Sequence, residues 1–341
     1  MHQRIGFIVG AVTFSLSTLA GPVLATSPTL IPQGNEPAQA RRSAFGSSDL
    51  PEQGRPLVAV SHRGAAGTAP ENTLAAIDEG HRLGAESVEI DVRPTSDEEL
   101  VLMHDATLER TTDVAEVFPD RAPYNVGDFT LEELGRLDAG SFFGPEFEGE
   151  PVPSLSEALD RLQEHDMNLL LEVKEPELYP GIERLIAAEL KGRPHWMEPN
   201  APDEPHRLLV QSFDWEYTER SKELLPSLPH GLLGLVPENE IDDYTWAQQI
   251  NPAHTTIDAD YVAAVQDAGL EIMPYTVNEA DGMYRLLGMG VDGFITDFPG
   301  TGQRVIREFR EGRARQVARE SEGAQTDGCT GEGEETRVLT S

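Results

Sequence analysis

Four short stretches hold side chains able to do chemistry together: Ser61-His62-Arg63-Gly64, Glu89-Ile90-Asp91, His104-Asp105 and Glu172-Val173-Lys174. In the second, the acids stand at i and i+2, so on a strand Glu89 and Asp91 project to one face and Ile90 to the other. Two desolvated carboxylates on an inward face repel each other unless positive charge lies between them, and a divalent cation supplies it. Glu172 can add a third oxygen donor. A cluster of ion pairs with Arg63 and Lys174 is the alternative arrangement. Oxygen donors with no cysteine among them suit Ca²⁺ or Mg²⁺ better than zinc.

Taken alone, a histidine such as His62 is more often a hydrogen-bonded structural residue than a catalyst. Its place at the end of an apolar run, with Arg63-Gly64 behind it, raises its standing. His104 also follows an apolar run, and Asp105 beside it can orient the ring. Two imidazoles at one mouth suit paired acid and base work near neutrality. Arg63 and Lys174 form a candidate anion site, the arginine by parallel hydrogen bonds and the lysine as a point charge. Lys174 could equally neutralise Glu172. Pro70-Glu71-Asn72-Thr73 reads as a helix start, with support of the site residues as the alternative.

The elements that must position these residues alternate along the chain. Leu57–Val60, Ser87–Val92 and Asn168–Lys174 read as the first three buried strands, with Leu100–His104 a short strand behind the second. Arg207–Ser212, Leu232–Val236, Thr255–Ile257, Ile272–Val277 and Gly293–Thr296 read as strands four to eight. Helical spacing falls between most of them: Glu71–Leu83, Ser154–Glu164, Gly181–Leu190, Trp215–Leu225, Tyr261–Ala268 and Ala280–Met289, with a closing helix at Thr301–Glu311. Eight strands alternating with helices over about 250 residues predict an α/β fold, a (β/α)₈ TIM barrel, whose strand C-termini form the active face. Asp105 to Pro153 is too long and irregular for a barrel connection, apart from a helix-like piece at Leu131–Leu137. It predicts a small insertion after strand 2, placed to act as a substrate-side cap.

Around this domain, 55–312, the ends read differently. Arg4, the apolar stretch Ile5–Leu19 and the small residues before Ala25 have the layout of a secretory signal peptide, residues 1–25, with an uncleaved membrane anchor as the alternative. Residues 26–54 read as a disordered spacer and 313–341 as a disordered acidic tail. After signal cleavage no stable membrane span is expected, and the predicted location is outside the cell or in its envelope. Among the 341 residues, the formal net charge of −34 argues against nucleic acid and anionic membranes as bulk partners, but not against a small anion in a local basic pocket. The single cysteine, Cys329, leaves no intramolecular disulfide.

Taken together, His62-Arg63-Gly64, Pro70-Glu71-Asn72-Thr73, Glu89-Ile90-Asp91, His104-Asp105, Glu172-Val173-Lys174, Tyr275-Thr276-Val277-Asn278 and Asp292 to Asp297 closely resemble the glycerophosphodiester phosphodiesterase family, in order and spacing. The resemblance spans about Leu57 to Gly312. It implies hydrolysis of glycerophosphodiesters to sn-glycerol 3-phosphate and an alcohol. By motif position it makes Glu89, Asp91 and Glu172 metal ligands for one Ca²⁺ or Mg²⁺, and His62 and His104 the acid/base pair. Arg63, Lys174, Tyr275 and Asn278 become substrate or phosphate contacts. Tyr275 stands where the family usually has tryptophan. Two other readings stay open: a sphingomyelinase D-like phospholipase on the same barrel, and an exported binding protein without catalysis.

Overall fold

A computed structural model describes residues 55–327. The expected signal segment, its cleavage site, the spacer and Cys329 lie outside the described residues. The chain runs β1 (Val58–Ser61), α1 (Leu74–Arg82), β2 (Ser87–Pro94) and β3 (Leu100–Leu102), then the short helices α2 (Val114–Val117) and α3 (Leu131–Leu134). It continues through α4 (Leu155–Glu164), β4 (Asn168–Val173), α5 (Ile182–Lys191), α6 (Pro194–Met197), β5 (Leu208–Ser212) and α7 (Trp215–Leu224). The last part holds β6 (His230–Leu233), β7 (Gln249–Asn251), α8 (Ala259–Asp267), β8 (Glu271–Ile272), α9 (Ala280–Met289), β9 (Gly293–Thr296) and α10 (Pro299–Asp327).

The strand order is β8-β7-β6-β5-β4-β2-β1-β9, all pairs parallel, with β3 antiparallel on β2. Backbone bonds from Ile295 N to Pro274 O (2.9 Å) and from Val277 N to Ile295 O (3.0 Å) bring the segment after β8 against β9 and close the circle. Each barrel strand sends alternate residues inward. Val58, Val60, Leu170, Leu209, Met273 and Ile295 fill the interior, while two larger apolar clusters join the outer strand faces to the helices. At the N-terminal ends of the strands Glu271 lies 3.3 Å from Arg55 and 3.2 Å from His206, capping that end with charge pairs. Helical sides and a plugged base leave the opposite mouth for the site.

Several sequence expectations need correction. The sixth strand is Gln249–Asn251, not Thr255–Ile257, which forms a turn before α8. The fifth begins at His230 and ends at Leu233, earlier than Leu232–Val236, and a 3₁₀ helix at Glu238–Tyr244 takes the place of a crossover α-helix. Pro70 to Thr73 is a turn rather than a first helical turn; α1 starts at Leu74, with the Thr73 hydroxyl accepting from Ala76 N at 3.1 Å. α10 runs to Asp327, past the expected Glu311, and takes in part of the stretch expected to be disordered. The insertion carries its own apolar cluster, including Leu108, Val126, Phe129 and Leu134, so it is a packed cap with its own core.

Candidate active site

Glu89 and Asp91 on β2 and Glu172 on β4 point into the barrel, where they are 1 %, 0 % and 7 % exposed. The register that sets Asp91 beside Glu172 also places one oxygen from each of the three carboxylates within 4.8 Å of the others. Glu89 Oε1 and Asp91 Oδ1 are buried without a hydrogen-bond partner. Burial and then the charges of Asp91 and Glu172 drive the Glu89 carboxyl well above its ordinary range. Burial and then Asp91 push Glu172 up to about 7. Burial opposes ionisation of Asp91 too, but Lys174 and Arg63 outweigh it and hold Asp91 low. Orphaned oxygens and mutually destabilised carboxylates fit a hard divalent cation.

Neighbouring elements fix this cluster. Asn72, in a left-handed conformation (φ 56°), donates Nδ2 to Asp91 Oδ2 at 2.8 Å and accepts from Asp91 N at 3.0 Å. The Arg63 backbone N–H donates to Glu89 Oε2 at 2.9 Å. Its guanidinium binds Glu71 at 2.8 Å and approaches Asp91 at 3.3 Å. Lys174 pairs with Glu172 and lies 3.7 Å from Asp91, so its neutralising role is realised while its ammonium still borders the cavity. Gly64 (φ 95°) is required by contact: a Cβ there would meet the Ala76 Cβ at 2.4 Å.

The two histidines flank the carboxylates, each held at Nδ1 by an aspartate. His62 follows β1 and lies 2.6 Å from Asp297, just past β9; its Nε2 is 3.9 Å from Glu89. His104 follows β3 and lies 2.7 Å from Asp105. Such bonds set the tautomer and leave Nε2 for proton transfer. Burial is the largest influence on His104 and lowers its basicity. Arg110 binds both Asp105 (2.5 and 3.0 Å) and Glu71 (both 2.7 Å), and so ties the cap to the loop after β1.

His62, His104, Arg63, Lys174, Glu89, Glu172 and Tyr275 border one cavity of about 190 Å³, with Asp91 directly behind. Tyr275 meets Phe213 edge to face at 5.9 Å in its wall. Asn278 differs from expectation. Its Nδ2 donates to Asp297 Oδ2 at 2.6 Å and its Oδ1 accepts from Asp297 N at 3.0 Å, so it acts on His62 through Asp297 rather than by facing the cavity. The roles of Asp297 and Arg110 escape sequence reasoning, whereas Asn72 lies in the stretch that it read as a helix start or a support for the site. The motif ending in Asp297 carried a signal, but its partner is 235 residues away.

The sequence model of the Glycerophosphoryl diester phosphodiesterase family matches residues 62–301. A glycerophosphodiester phosphodiesterase of Caldanaerobacter subterraneus subsp. tengcongensis is 36 % identical over 253 residues, 73 % of this chain and 97 % of the relative. One from Bacillus subtilis is 31 % identical over 268 residues, 74 % of this chain and 87 % of the relative. The solved structure of an Oleispira antarctica phosphodiesterase in complex with the product sn-glycerol-3-phosphate superposes with a TM-score of 0.64 at 29 % identity, covering 73 % of this chain and 96 % of that one.

Proposed function

The chain belongs to the glycerophosphodiester phosphodiesterase family, and from this we propose that it cleaves glycerophosphodiesters to sn-glycerol 3-phosphate and an alcohol by acid/base catalysis between His62 and His104. The observation that carries the reading is the cluster of three buried carboxylates set between two aspartate-held imidazoles on one cavity. Glu89, Asp91 and Glu172 would hold one Ca²⁺ or Mg²⁺. When bound, that cation offsets negative charge on the phosphate oxygens as it grows in the transition state.

Arg63 and Lys174 hold the diester's phosphate against this cluster, by directed N–H donors and by charge respectively. One imidazole takes the proton of the attacking oxygen, and the other gives a proton to the departing alkoxide. Asp297 and Asp105 keep the rings oriented and stabilise each while it is protonated. The Tyr275 and Phe213 rings form the apolar wall for the carbon part of the substrate. We also propose that the chain acts outside the cytoplasm or in the envelope. The support is the signal-like layout of residues 1–25; among the described residues no helix is long and apolar enough to cross a membrane.

The test is release of glycerol 3-phosphate from glycerophosphocholine, glycerophosphoethanolamine and glycerophosphoinositol by the purified protein, with Ca²⁺ and Mg²⁺ compared. Exhaustive chelation is expected to abolish turnover and readdition of one of these cations to restore it. His62→Ala and His104→Ala should each lose about 10²- to 10⁴-fold in kcat. Near wild-type turnover in either variant would remove the acid/base scheme. A cyclic lipid phosphate from lysolipid, with no glycerol 3-phosphate from any diester, would favour the phospholipase reading.

A further inference from the structure

Beyond the charged residues, the cavity wall contains a buried amide that the proton transfers do not use. Gln211 on β5 lines the cavity, is 1 % exposed, and lies in register with the metal-site residue Glu172. Its Oε1 accepts from Asn251 Nδ2, on β7, at 2.6 Å. The intervening strand β6 allows this reach because it carries Gly231, whose Cβ would stand 3.2 Å from Asn251 Nδ2 and 2.9 Å from Leu209. Two atoms of the pair are left over: Gln211 Nε2, a donor, and Asn251 Oδ1, an acceptor, both buried without a hydrogen-bond partner. An unsatisfied buried polar atom is costly, and a barrel interior has no structural need for two amides at that level.

A hydroxyl group is both donor and acceptor, so it can satisfy the unpaired donor and acceptor of such an amide pair, whereas a methyl satisfies neither and an ammonium only the acceptor. Space sets the direction of the substrate. The cavity beside Gln211 measures about 190 Å³, whereas the groove on the other side of His104 and Lys174 measures about 720 Å³, with Asp105, Glu175, Glu177 and Asp214 in its lining. His104, Glu172, Lys174 and Phe213 border both, so a phosphate held among them extends one arm into each.

We infer that the Gln211–Asn251 amide pair is a hydroxyl-reading site that selects a short polyol arm for the inner cavity and leaves the exchangeable alcohol in the outer groove. The inference rests on the phosphodiester reading above and adds to it the residue that recognises the retained arm. Gln211 is then a specificity residue and takes no part in proton transfer.

Calorimetric titration of the enzyme loaded with the cation that supports turnover, using glycerol 3-phosphate and propyl phosphate as probes, tests this without chemistry. Wild type should bind glycerol 3-phosphate at least about tenfold more tightly, because the propyl chain leaves the amides unpaired. The near-isosteric Gln211→Met should bring the ratio close to one by weakening glycerol 3-phosphate alone. Asn251→Ala, which keeps Gln211 but frees it, should lose part of the preference, and it serves if the methionine variant does not fold. Equal binding of the two probes by wild type would overturn the inference and leave the phosphodiester reading standing, as would a Gln211→Met that weakens both equally. If wild type binds neither probe, the phosphodiester reading fails, and the inference with it.

Discussion

Two imidazole–carboxylate pairs border the cavity that holds the carboxylate cluster, and they are supported differently. Asp297 is held by a neutral amide, Asn278, whereas Asp105 is held by the fixed cation Arg110, whose hydrogen bond is the largest influence pulling Asp105 below its ordinary range. Arg110→Ala should therefore lower kcat by about tenfold to a hundredfold, the size of effect expected when a partner that orients a site residue is lost. Steady-state kinetics of the alanine and lysine variants checks this, the lysine restoring part of the loss because it returns the charge without the fork. The candidate site residues that the cavity gathers were legible in the chain, since each lies within a few residues of an apolar run that puts it at a strand end. Their supporting partners were not. Asp297 meets His62 across 235 residues, and Arg110 reaches Glu71 across 39, so no local spacing announces either.

Among the elements, α1 does more than cover the barrel. Its N-cap Thr73 follows Asn72, whose left-handed backbone aims the amide at Asp91, so helix start and carboxylate cluster share one turn. Thr73→Ala is expected to cost about 1 kcal/mol of stability. Urea unfolding would read that loss, and weakened cation binding in the same variant would show that the turn also positions Asn72. The strands that sequence reasoning placed correctly include β1, β2, β4, β5 and β9; four of them are mostly apolar or β-branched, and β2 alternates such residues with charged ones. Gln249-Ile250-Asn251 was missed because it turns two amides inward, inverting the usual apolar interior, while Thr255-Thr256-Ile257 has β-branched residues but sits in a turn. Glu71–Leu83 was read too long at its N-terminus for a related reason: the functional turn borrows residues that also suit a helix start.

For the molecule as a whole, the carboxylate cluster links folding to the cation. Saturating Ca²⁺ or Mg²⁺ should raise Tm, the stabilisation reaching about 2.7 kcal/mol at a hundred times Kd, and Glu89→Gln should shrink the shift. A second link, to protons, lies outside the site. His230 is fully buried; its Nδ1 donates to Leu228 O and its Nε2 accepts from the Ser221 hydroxyl, both at 3.0 Å, and burial pushes it down to about 4. The unfolded ring takes up its proton near pH 6.5, so between about 6.5 and 4 the unfolded chain binds more protons. The stability that the neutral ring contributes above 6.5 is then lost as pH falls through that window, by roughly 3 kcal/mol. Denaturation midpoints at pH 7 and pH 4.5 should converge more closely in His230→Gln than in wild type. Among the described residues β3 is the one antiparallel strand in the sheet. His104, Asp105 and Arg110 all hang from the excursion that β3 begins and α4 ends, not from the barrel proper. Any attempt to transplant that excursion between relatives, or to trim it away, would therefore exchange one of the two aspartate-held imidazoles along with the cap, and a chimera would inherit its His104 from the donor.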